Sequence, residues 1–212
     1  MTEIIAGVAI PDTETAARTT RHVAEISSPL LFHHSRRVFL FAALHAQRLG
    51  LAPDPELLYV AALFHDTGLH TPFSDAVQRF EIDGADNARC FLLERGFSPS
   101  AAELAWQAIA LHTTPEIPGR MAPEIALTNL GVLTDAVGAG FDELDPEAIA
   151  EITAAHPRGG FKSGFMQAFH EGLKHRPETA YGTVNADVLE HFVPGYRRGS
   201  MVERVMNSPW AE

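Results

Sequence analysis

The chain is expected to fold as one all-α domain, a helical bundle with a metal site between its helices. Three observations predict it. Apolar residues recur at helical spacing in nearly every stretch between proline and glycine punctuation, and no alternating strand pattern of useful length is present. In addition, the tandem His65-Asp66 closes the apolar run 57–64, where two uncompensated polar side chains are costly to bury.

The elements follow in order. Leu30 to Leu49 is a helix stopped by Gly50, a left-handed cap. Ala52-Pro53-Asp54 opens the next helix, which runs to the tandem and ends near Gly68. Asp83 to Arg95 is amphipathic and stops at Gly96. Ser98-Pro99 sets an N-cap before a proline, starting a helix that reaches His112. Pro115, Pro118 and Gly119 mark a loop, and Pro123 opens a helix to Asp135 or slightly beyond, closed by Gly138 and Gly140. Asp145-Pro146 repeats the cap-then-proline start for a short helix to about Ala155. Phe161 to His175 and Ala186 to His191 follow, and the tail from Val193 mixes loop and short helix. The core is expected over about 28–140, with a helical C-terminal extension over 141–212.

Composition sets limits. With 212 residues, 46% apolar and 20% charged, the chain is large enough to bury a sizeable core. A net charge of −11 argues against a general nucleic-acid binder, because phosphate backbones reward Lys and Arg. No run of about 18 apolar residues is present, so no membrane span is expected. The start Met1-Thr2-Glu3 lacks the features of a signal peptide. The single Cys90 permits no internal disulfide and fits a reducing cytoplasm; it reads as a small core residue on its helix. The partner expected is a small-molecule substrate, with homo-oligomerisation left open.

The tandem asks for a divalent cation, and His34, His65, Asp66 and Asp135 supply candidate ligands from three helices. Leu31, Val38 and Phe41 share a face with His34, and Leu58 and Ala61 share one with His65. Gly131 lies one turn before Asp135, where a mid-helix glycine suggests close approach of a neighbour. His33 is the alternative to His34 and points a third of a turn away. One metal ion is expected: zinc first, with iron, manganese, cobalt or nickel also suited to mixed nitrogen and oxygen ligands.

Around these residues stand longer words: Phe32-His-His-Ser-Arg-Arg-Val38, Leu63-Phe-His-Asp-Thr-Gly68, Phe80-Glu-Ile-Asp-Gly-Ala85, and Trp106-Gln-Ala-Ile-Ala-Leu-His-Thr-Thr-Pro115. Together they resemble the HD superfamily of metal-dependent enzymes, in its cyanamide hydratase-like branch. The resemblance spans about 28–140, and His175-Arg-Pro-Glu-Thr179 resembles bacterial members of that branch. It implies an all-helical HD-type bundle with His34, His65, Asp66 and Asp135 as metal ligands. Two departures narrow it. Leu69 stands where many nucleotide phosphohydrolases of the superfamily carry glutamate. Only His70 and His112 lie between the tandem and Asp135, which favours one metal over the two-iron oxygenase centre.

A divalent ion with neutral histidines and two aspartates is formally uncharged. It suits a small uncharged electrophile such as a nitrile-like carbon, whereas a phosphate ester would call for extra cations. Asp66, His112 and Arg37 are the expected catalytic groups, with His112 a proton shuttle, a substrate-orienting group, an added ligand or a helix-capping residue. Arg37 is the nearest cation, or else a structural partner for an aspartate; Arg36 is expected to face solvent. Arg79 and Lys162 are further cations without a motif. Glu81, Thr113 and Thr114 are candidate substrate contacts, while His45, His70 and His170 read as ordinary positions. The leading expectation is a metal-dependent hydratase or hydrolase that adds activated water to a cyanamide- or nitrile-like C≡N bond. Phosphohydrolysis of a small metabolite or nucleotide is the enzymatic alternative, and a metal-stabilised regulatory module the non-enzymatic one.

Overall fold

A computed structural model of the chain describes residues 2–70 and 72–210. Ten α-helices are present among the described residues. Helix α1 spans Glu14–Ile26, α2 Pro29–Leu49, α3 Pro55–Phe64, α4 Phe80–Leu93 and α5 Pro99–Ala110. Helix α6 spans Pro123–Val137, α7 Pro146–Ala155, α8 Phe161–Leu173, α9 Asn185–Phe192 and α10 Met201–Met206. Caps explain the starts. The side chains of Ser28, Asp54, Ser98 and Asp145 each accept a first-turn N–H, with proline at the first helical position of α2, α3, α5 and α7.

Helices α2 and α3 form the middle of the bundle. Leu57 to Phe64 are all buried, so α3 is enclosed on every side, as its unbroken apolar run requires. Helix α6 lies against α2, and Gly131 is a point of close backbone approach between them. A methyl group there would meet the Val38 carbonyl oxygen and stand 3.1 Å from the Ala42 Cβ. Gly131→Ala is therefore expected to destabilise by about 1–3 kcal/mol through overpacking. A lower urea midpoint at unchanged slope would register it.

Several expectations need correction. An antiparallel hairpin is present, with β1 (Ile4–Ile5) paired to β2 (Val8–Ala9) around Ala6-Gly7; two-residue strands are too short for alternation to register. Helix α1 lies before the first helix expected at Leu30; its buried positions Ala16, Thr19 and Val23 do stand at helical spacing, but two of the three are small or polar. Helix α3 ends at Phe64, four residues short of Gly68, and a 3-10 turn occupies Thr67–Leu69. Cys90 is exposed, because α4 turns Ala85, Ala88, Phe91 and Leu92 inward instead. Arg36 is buried: it donates to the Tyr59 hydroxyl at 2.6 Å, to His156 Nε2 at 3.2 Å and to Glu3 at 2.7 Å.

The apolar interior divides in two. The larger cluster joins α1 to α6, with Leu144 and Ile152 added. A smaller one joins Leu31, Leu69 and Phe80 to Phe161, Phe165, Phe169, Leu173, Ala180 and Leu189 of the C-terminal extension. His34 on α2 and the tandem after α3 lie along the seam between them.

One arginine fastens this seam. Arg176 is 1% exposed, and its guanidinium donates to the carbonyls of Gly68, Asp75, Gln78 and Gly172 and to the Asp83 carboxylate. The two sequence words Phe80–Ala85 and His175–Thr179 thus meet in a buried ion pair.

Candidate metal centre

Helix α2 brings in His34, the end of α3 brings in the tandem, and the turn after α5 brings in His112; all four side chains are buried. His34, His65 and Asp66 form a cluster whose candidate ligand atoms lie within 4.8 Å of one another. His65 Nε2 stands 3.2 Å from both His34 Nε2 and Asp66 Oδ2, and His34 Nε2 is 3.7 Å from that same oxygen. Asp66 sits at φ −100°, ψ 2°, in the sparsely populated bridge region where site residues often lie.

Hydrogen bonding fixes the tautomers. His34 Nδ1 donates to Asp135 Oδ2 at 2.6 Å, His65 Nδ1 to the Ala62 carbonyl at 2.7 Å, and His112 Nδ1 to the Ile109 carbonyl at 2.6 Å. Carboxylates and carbonyls only accept, so each neutral ring carries its proton on Nδ1 and presents a bare Nε2 lone pair. His112 Nε2 is buried without a partner, 3.7 Å from Asp66 Oδ1. Among the described residues, neither Asp66 oxygen accepts a hydrogen bond. Converging lone pairs and an unsatisfied carboxylate repel one another in a low-dielectric interior, and a divalent cation resolves that repulsion. The donor set therefore fits a metal.

Asp135 stands behind His34 rather than beside the other three. Arg37 grips both of its oxygens at 2.8 Å each, Arg158 pairs with it, and His34 takes what is left. That is the carboxylate–histidine arrangement which orients a ligating imidazole. Arg37 is accordingly the aspartate's partner, and its remaining donor binds the carbonyls of His156 and Pro157. His33 turns to His156, at 3.1 Å between their Nδ1 atoms. His45 is a core residue whose Nε2 meets the Thr134 hydroxyl at 2.9 Å while its Nδ1 is buried without a partner among the described residues, and Lys162 is exposed.

Glu81 is fully buried and accepts from Arg79 at 2.8 Å, from the Thr113 hydroxyl at 2.6 Å and from Asn185 Nδ2 at 3.1 Å. Thr114 lines a cavity with Thr113 and Arg79, and its carbonyl accepts from Asn129 at 3.3 Å. Asn129 also holds the His112 carbonyl at 2.8 Å, fixing that residue's turn. Over the cluster lies an aromatic cover from α8: the Phe161 and Phe165 rings centre 5.2 and 4.9 Å from His34. Asn129, Arg158, Asn185 and the α8 phenylalanines carried no motif; the helical spacing of Phe161, Phe165 and Phe169 was their one visible sign.

Burial and charge set the protonation states. Burial works against the Asp66 carboxylate, yet His65, His34 and His112 hold it well below the usual range when their rings are protonated. Asp135 is likewise held low against burial, by His34 and Arg37. Burial, aided by His65, pushes His112 down to about 4, and burial with Arg36 does the same to His156. Burial also lowers His65, but Asp66 outweighs it and leaves that imidazole raised.

The signs give a pH prediction for the protein in chelator. A histidine lowered in the fold binds fewer protons than its unfolded form, whose value is about 6.5. Stability from His112 and His156 is thus intact above about pH 6.5 and declines toward pH 4. His65 acts in the opposite direction, and the aspartates begin to matter only below about pH 4. Urea midpoints are expected to fall from pH 6.5 to 4, and to fall less steeply in His112→Asn.

The HD domain family matches residues 31–184, more than half of the chain and well into the C-terminal extension. The chain belongs to this family, an all-helical one whose members are typically metal-dependent hydrolases. No curated protein matches the sequence. No helix among the described residues is long and apolar enough to cross a membrane.

Proposed function

We propose that the protein is a metal-dependent enzyme that adds water to a small uncharged molecule, with a cyanamide- or nitrile-like C≡N carbon as the electrophile. One observation carries the choice of an uncharged substrate: the guanidiniums around the centre are already engaged. Arg37 and Arg158 are paired with Asp135, and Arg79 with Glu81. A phosphate dianion would have to draw one of them away from a buried carboxylate, which is costly.

In this reading His34, His65 and Asp66 hold the metal, zinc in first place, while Asp135 fixes His34 from behind. A divalent cation there would lower the pKa of a bound water and polarise the electrophile. His112 supplies the proton chemistry. Its Nε2 is unprotonated, faces Asp66 Oδ1, and is braced through Nδ1 and through Asn129. It accepts a proton from water as the hydroxyl bonds to the nitrile carbon, then delivers that proton to the nitrogen. Water thus adds across C≡N, and tautomerisation gives the amide; from cyanamide the product is urea. Leu69 and the buried Arg37–Asp135 pair keep phosphohydrolysis second.

Protein of measured metal content, offered cyanamide, simple nitriles and phosphate esters in parallel, provides the test. Urea formation abolished in His112→Ala supports the proposal. Phosphate release with cyanamide and nitriles untouched overturns it.

A further inference from the structure

The last helix, α10, is held to the rest of the fold by a polar edge. Ser200 caps it by accepting the Glu203 N–H at 3.2 Å. The Arg204 guanidinium lies 3.6 Å from the centre of the Tyr181 ring, and the Tyr181 hydroxyl donates to the Met201 sulfur at 3.3 Å. Gly199 packs against the same ring, too close for a side chain. The helix is thus anchored along its Arg204 side, while its apolar residues stay outside. Met201, Val202, Val205 and Met206 are each between 56% and 70% exposed, and Trp210 beyond the helix is 85% exposed.

The spacing makes this a face. At 3.6 residues per turn the four apolar positions span about 140° of the helix, and Glu203 and Arg204 flank them on opposite sides. An amphipathic helix normally turns such a face inward; this one turns it to solvent. With Trp210 it exposes about 700 Å² per copy, so two copies together reach the lower end of the roughly 1,200–2,000 Å² that specific interfaces bury.

Charge selects the occupant. A helix lying on a membrane carries Lys and Arg along its polar face. Here that face has one arginine, already stacked on Tyr181, and a chain of net charge −11 is repelled by anionic headgroups. The flanks instead complement each other. Glu203 is exposed on the side away from Tyr181. Two such helices side by side in parallel about a two-fold axis place Glu203 of each against Arg204 of the partner subunit, with the apolar residues between them. A guanidinium stacked on a ring keeps its edge N–H groups for a carboxylate, so the Tyr181 contact can persist in the pair.

We infer that α10 is a self-association surface and that its occupant is α10 of a second copy of this chain, in a parallel two-fold pair. The surface is separate from the metal centre and independent of the reaction assigned to it.

The test is the mass of the zinc-loaded 212-residue chain in sedimentation equilibrium across a dilution series. A monomer–dimer equilibrium is expected with a dissociation constant of about 1–100 μM, the weak end for an interface of this size. Val205→Asp puts a charge in the middle of the face and is expected to weaken association by more than about 100-fold. Val77→Asp, at an exposed apolar residue outside α10, is expected to leave it unchanged. Glu203→Arg retains a good helix former but sets like charges side by side, and is expected to weaken the dimer about threefold or more. A chain that stays monomeric throughout, or a dimer as tight in Val205→Asp and Glu203→Arg as in the parent, overturns the inference. Monomer that binds phosphatidylserine vesicles through α10 overturns it in favour of a membrane.

Discussion

Asp66→Asn is expected to lose more than about 100-fold in divalent-metal affinity while making the chelator-treated protein more stable at mildly alkaline pH. The first effect should exceed the 10–100-fold typical of residues that merely support a ligand. The second follows from the unsatisfied carboxylate. Both Asp66 oxygens are buried without hydrogen bonds beside imidazoles that present lone pairs. An asparagine NH2 can donate to one of those lone pairs and carries no charge, a gain of about 1 kcal/mol. Metal titration by calorimetry and urea unfolding of the same sample would show the opposite signs. A fall in stability comparable to that of a core substitution would make Asp66 a structural residue and remove the basis for the metal centre.

Arg176→Ala is expected to cost about 3–5 kcal/mol, the range for breaking a buried ion pair by removing one partner. That is a large share of the roughly 5–15 kcal/mol available to a typical domain. The cost is high because Asp83 is left buried without its guanidinium and four carbonyls lose a donor. Replacing the pair together, as Asp83→Leu with Arg176→Met, is expected to cost less than the sum of the single changes. Denaturant midpoints at constant slope give the double-mutant cycle. Additive losses would mean that the two residues do not act as a pair.

How much of this was legible depended on the kind of signal each residue left. Helices with a cap, a proline and an apolar face could be placed within a few residues, as α2, α5 and α7 show. The tandem and His34 stood out because polar groups on apolar faces need a reason. Helix α1 was missed although Ala16, Thr19 and Val23 stand at helical spacing, because two of those three buried positions are small or polar and carry little apolar signal. Position in space was harder. Arg36 and Arg37 are sequence neighbours, and spacing alone sent Arg36 to solvent. In the fold, the N-terminal hairpin and the end of α7 close over it with Glu3 and His156. Asp135 was visible as a polar residue on an apolar helix, but its place behind His34 depends on Arg158, far along the chain. Asn185 was invisible, since a lone asparagine beginning a short helix is an ordinary occurrence.

The division of the apolar interior has a dynamic consequence. The ligands are carried by the larger cluster, whereas the phenylalanines covering them belong to the smaller one, with its own aromatic stack from Phe161 to Phe169. Opening a subunit of this size costs less than unfolding the whole. Amide protons of α8 and α9 are therefore expected to exchange sooner than those of α2 and α3 in a hydrogen-exchange measurement. The Arg158 contact to Asp135 lies across the same boundary, so each such opening also loosens the carboxylate that steadies His34. In the proposed reading, admission of a substrate and relaxation of the ligand sphere would then be one thermal event, leaving the helices beneath intact.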